Sequence, residues 1–92
     1  MKSQMNFAIL YETNGRLHGE AYDINVDNPH NRTTLRNDFN YLAENFFQDS
    51  NYLKLGDGYP VFVDVLRWYT GDVNGVFDEI RNDLKERDFN LF

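Results

Sequence analysis

Glu79, Asp83 and Glu86 stand at i, i+4 and i+7 in the last quarter of the chain. On a helix that spacing puts three carboxylates along one side, about 5 to 6 Å apart. Neighbouring phosphates on one DNA strand are separated by roughly 6 to 7 Å along the backbone. A row of this kind can therefore offer negative charge where a DNA-binding groove expects phosphate. Asp72, Asp78 and Asp88 extend the row, and Asp38, Glu44 and Asp49 form a second one earlier in the chain. Arg81, Lys85 and Arg87 interleave with these acids, and Asp83 can pair with Arg87 across one turn, so a solvated, salt-bridged face accounts for the same pattern.

Other chemistry is sparse. The two histidines, His18 and His30, have only Ser3 and Ser50 as serine partners, and no catalytic triad is indicated. Glu20 with His18 makes a polar pair on an otherwise apolar strand face, the one arrangement from which a small acid–base site could be built. Asp23, Asn25 and Asp27 imitate the first ligands of a calcium loop, but Asn28 stands where glycine is needed and Thr34 where a bidentate glutamate belongs. Gly56 and Gly58 read as a turn, since the phosphate-binding lysine and spacing are missing. With no cysteine there is neither a disulfide framework nor a thiolate metal site. The expectation is a protein that is not an enzyme and uses no cofactor or metal.

The elements that position these residues can be read from pattern. Asn14-Gly15 between Met5–Glu12 and Leu17–Val26 predicts a β-hairpin, with Phe7 opposite Tyr22, Ile9 opposite Glu20 and Tyr11 opposite His18. Asp27, Asn28 and Pro29 end the second strand and start a helix. Leu35, Phe39, Leu42, Ala43 and Phe46 form its apolar stripe. A turn over Gly56–Pro60 leads into Val61–Tyr69, which reads as a third strand, although Phe62, Val65, Leu66 and Tyr69 also make a helical stripe. Asp72 or Asn74 caps a last helix whose stripe is Val73, Phe77, Ile80 and Leu84. The predicted fold is a single α+β domain over residues 1–92. A small antiparallel sheet, opened by the N-terminal hairpin, packs with two helices in the order ββαβα.

A formal net charge of −6 disfavours direct binding of nucleic acid, and no apolar run approaches the length of a membrane span. No secretory signal is visible, so an intracellular location is expected. The partner is then another protein. The opening text MKSQMNFAILYETNGRLHGEAYDINVDNP, with the acidity, the absence of cysteine and the abundance of Asn and Phe, resembles the Arn family of anti-restriction nuclease proteins of T4-type bacteriophages. The resemblance implies a dimeric DNA mimic, acting in the host cytoplasm, that inhibits the host restriction enzyme McrBC. It supplies no residue-by-residue motif, so the candidate phosphate-mimicking acids rest on helical spacing alone. The alternative is a phage adaptor that grips a host protein through exposed aromatics, with Trp68, Tyr69 and Tyr59 as anchors.

Overall fold

The computed structural model describes residues 6 to 91. Its elements are β1 (Ile9–Tyr11), β2 (Ile24–Asn25), α1 (Pro29–Leu42), β3 (Gly58–Tyr59), β4 (Val61–Val63), β5 (Tyr69–Thr70), α2 (Val73–Lys85) and β6 (Asn90–Leu91). The α+β class, the two helices and short strands in small sheets are as expected.

The pairing of the strands is not. β1 runs parallel to β4, with Leu10 beside Phe62, β2 runs parallel to β5, and β3 runs parallel to β6. Each of these connections passes through a helix, as parallel neighbours require a long crossover. The antiparallel hairpin is thus corrected. Asn14-Gly15 does form a tight turn, in which the Arg16 and Leu17 amides donate to the Thr13 carbonyl. That turn sends Leu17 into the core instead of returning the chain along β1. Phe7 bridges Tyr52, and Glu20 bridges Asp23 across its own tight turn. The local turn signal was real, but long-range pairing decided the register.

α1 begins where the sequence placed it. The Asn28 side chain accepts the Asn31 amide, and Pro29 occupies the first helical position, where its missing N–H costs nothing. Leu35, Phe39, Leu42 and Ala43 are buried as predicted. A single π turn over Ala43–Phe47 then adds a residue to the spiral. It rotates Phe47 into the core in place of the predicted Phe46, which is only half-buried against Tyr41.

Residues 61 to 69 combine both readings of that segment. Val61–Val63 is strand, Leu66–Trp68 is one turn of 3-10 helix, and Tyr69 resumes extended structure. Between them Val65 has φ +48, a left-handed conformation rare for a β-branched residue, and it marks the break. Asp72 caps α2 by accepting the Gly75 amide. Val76, Ile80 and Leu84 are the residues it buries, with Val73 and Phe77 packed at the margin. Asp88, also left-handed at φ +65, closes the helix, and the Phe89 amide turns back to the Leu84 carbonyl.

The two helices pack on each other, and the core between them and the strands is rich in rings: Phe39, Phe47, Tyr11, Tyr52 and Tyr69. Ladders of two or three residues contribute few hydrogen bonds, so side chains complete them. The Tyr52 hydroxyl accepts the Ile9 amide and donates to the Pro60 carbonyl, bridging β1 to the start of β4. Among the described residues no helix is long and apolar enough to cross a membrane.

Candidate acidic interface

The acid row of α2 lies along the side that faces α1. Arg32 and Arg36, one turn apart on α1, stand opposite Glu79 and Asp83, one turn apart on α2. Arg36 grips Asp83 with two parallel bonds, Nε to Oδ2 and Nη2 to Oδ1, each 2.9 Å, and reaches Glu79 with Nη1 at 3.1 Å. Arg32 holds Glu79 through Nε and Nη2 and approaches Asp27 at 3.7 Å. These charge-assisted bonds keep both carboxyls ionised. The bonds from Arg32 hold Glu79 below its ordinary range, and those from Arg36 do the same for Asp83.

Glu86, the third member of the row, is exposed at the rim of a shallow groove that it shares with Arg36 and Asp83, with no salt bridge among the described residues. The predicted pairing of Asp83 with Arg87 does not form, because Arg87 turns towards Glu44 at 3.7 Å. Asp38 of the second row is clamped by Arg16 and also accepts the Tyr11 hydroxyl at 2.6 Å. Burial, then that bond to Asp38, pushes the Tyr11 hydroxyl far above its ordinary range. Asp49 accepts the Asn51 amide in the turn after the π segment.

Asp72, Asp78 and Asp88 are exposed at the start, middle and end of α2 and share no salt bridge among the described residues. Asp72 also sits in a small acidic corner. Its amide donates to Asp27 Oδ1, and Thr70 donates its hydroxyl to Asp23. The Asp23, Asn25, Asp27 spacing that imitated a calcium loop serves this corner instead. Asn25 Oδ1 accepts the Asp27 amide, and Gly71 at φ +85 leaves room for both side chains. Among the described residues no three His, Asp or Glu groups converge as a metal site would need.

The rows therefore divide. Glu79, Asp83, Asp38 and Glu44 are bound to arginine, whereas Asp72, Asp78, Glu86 and Asp88 are presented outward. Sequence reasoning found the helical face but missed what it faces. The signal was available: Arg32 and Arg36 repeat the i, i+4 interval of Glu79 and Asp83 with opposite charge.

His18 and His30 stack face to face at 3.8 Å on the surface, and Glu20 lies exposed in its own turn, so the polar pair does not share a pocket wall of β1. Of the three aromatics considered as anchors, Tyr69 is buried and bonded to Thr13, and Tyr59 is stacked on Phe47. Trp68 is half-buried under Tyr22, with its indole N–H unpartnered among the described residues. Comparison with protein-family models, curated proteins and solved structures finds no match to this chain.

Proposed function

We propose that the chain is an inhibitor that mimics DNA, occupying the basic groove of a host restriction endonuclease, with McrBC as the target implied by the resemblance to the Arn family. The observation that carries the reading is the disposition of the cations. Arg16, Arg32, Arg36 and Arg87 are each held by carboxylates, while Asp23, Asp72, Asp78, Glu86 and Asp88 remain exposed. Internal pairing withdraws four of the nine bases together with their carboxylates, and although Lys54, Arg67, Arg81 and Lys85 also stay exposed, the surplus of acids over bases keeps the remaining surface negative.

Shape agrees with charge. The body measures 45 × 26 × 19 Å, and at 3.4 Å rise its long axis matches about 13 base pairs of duplex. A second copy aligned on the same axis lengthens the acidic face. Glu79 and Asp83 hold α2 in place, and Asp72, Asp78, Glu86 and Asp88 meet the partner's basic side chains.

The test is binding of the purified protein to McrBC, followed by fluorescence anisotropy across a salt series with duplex DNA as competitor. Affinity should fall about tenfold or more between roughly 50 and 200 mM salt, and DNA should displace the protein. Replacing Asp72, Asp78 and Asp88 by Asn and Glu86 by Gln keeps the helix cap and the left-handed turn, and should weaken binding while leaving the fold intact. Binding indifferent to salt, DNA and these substitutions would overturn the proposal.

A further inference from the structure

β1 is an edge. Its register with β4, and the Asp64 amide donating to the Tyr11 carbonyl, assign Ile9 and Tyr11 as the residues whose backbone turns towards β4. Alternation then turns the amides and carbonyls of Leu10 and Glu12 to the opposite side, where no strand lies among the described residues. On that side a groove of about 650 Å³ separates β1 from α1.

Its walls are largely apolar and exposed. Leu10 is 56% accessible on one wall and Tyr41 59% on the other, with Leu42 between them. Monomeric proteins usually cover, charge or bulge such an edge. Here neither bulge nor proline does so along Ile9–Tyr11. The polar end of the groove is uneven in charge. Its one cation, Arg16, is spent on Asp38, while Glu12 is exposed and has no salt bridge among the described residues.

We infer that this groove receives an extended segment of a partner protein, which adds as a strand to β1. Backbone pairing with Leu10 and Glu12 supplies the register. Apolar side chains on alternate residues pack between Leu10 and Tyr41, and a lysine or arginine meets Glu12. Charge complementarity selects this occupant. A nucleic acid is repelled by the uncompensated carboxylate, and a second copy of this chain would bring an equally acidic groove. The site is separate from the α2 acids and does not depend on their role.

The experiment uses the whole protein and three fluorescein-labelled hexapeptides. The first alternates valine and lysine, the second alternates valine and glutamate, and the third repeats the first with every second amide N-methylated. Only the first should bind, and on binding the Leu10 and Glu12 amides should slow in hydrogen exchange. Tyr41→Ala and Glu12→Lys, both at exposed positions, should each weaken it about tenfold with unchanged circular dichroism. Binding that survives N-methylation and Tyr41→Ala would mean mere electrostatic adhesion and would overturn the inference. So would binding of the glutamate peptide, the absence of binding, or protection of the same amides that grows with protein concentration alone, the mark of a second copy.

Discussion

At the start of α1, Asn31 is 1% exposed and surrounded by backbone. Its Oδ1 accepts the His18 amide, and its Nδ2 donates to the carbonyls of His18 and Asn25. About 24 Å further along the helical axis, Phe47 is equally buried among rings. It stacks on Tyr59 at 4.8 Å and meets Tyr52 and Phe89 edge-on. Both ends solve the same problem, which is to fasten loops and two-residue strands that cannot hold themselves. One does so with directional bonds to a loop backbone, the other with apolar area. The polar node should therefore be intolerant of any substitute, whereas the ring cluster should accept another apolar side chain at moderate cost.

The largest effect is expected at the rings. Phe47→Ala removes the side chain that Tyr59, Tyr52 and Phe89 share, and should cost about 3 to 5 kcal/mol in urea unfolding. Phe47→Leu should restore more than half of that loss. If leucine proves as damaging as alanine, ring geometry and not apolar volume fastens this end, and the contrast with Asn31 narrows.

Asn31→Leu comes next, at about 2 to 3 kcal/mol, because it strands one amide and two carbonyls beside an apolar side chain. Amide exchange at His18 should accelerate in this variant while that at Leu84 follows only the global loss. A stability equal to the parent would show that water satisfies those groups and that the node fastens nothing.

The difference between the two ends also bears on what sequence could reveal. Asn28-Pro29 and the Val73, Phe77, Ile80, Leu84 stripe are local or periodic signals, and the helices formed where those signals lie, although Val76 and not Val73 or Phe77 is the residue buried beside Ile80 and Leu84. Asn31, by contrast, reads as an ordinary helix-surface polar residue, because its partners His18 and Asn25 are set by loop geometry. The hairpin failed for a related reason. Asn14-Gly15 specifies a turn, but whether Ile9–Tyr11 pairs with the returning chain or with Val61–Val63 is decided by which arrangement buries Leu17, Ile24 and Val26 against the helices. The acid row was legible as a face, and its orientation would have followed from matching it to Arg32 and Arg36.

The smallest of these effects belongs to the bridge between the helices, and pH isolates it. The carboxyls of Glu79 and Asp83 have ordinary values of 4.5 and 3.8 and are lowered in the folded protein by bonds from Arg32 and Arg36. A lowered folded value means that the unfolded chain takes up protons first as pH falls. The bridge therefore contributes fully above those ordinary values and is lost as pH drops through them towards the lowered ones. Asp83 with Arg36 is partly solvated, at 24% and 42% exposure, and screening limits that pair to about 0.5 to 1 kcal/mol. Stability measured in urea should thus fall more steeply between about pH 5 and pH 2 in the parent than in an Asp83→Asn variant, with the two curves converging at the acid end. Parallel curves would show that the Arg36 fork adds no net stability. Its contribution would then be to hold α2 in register with α1, leaving fastening to Asn31 at the start of α1 and Phe47 in the π turn that follows it.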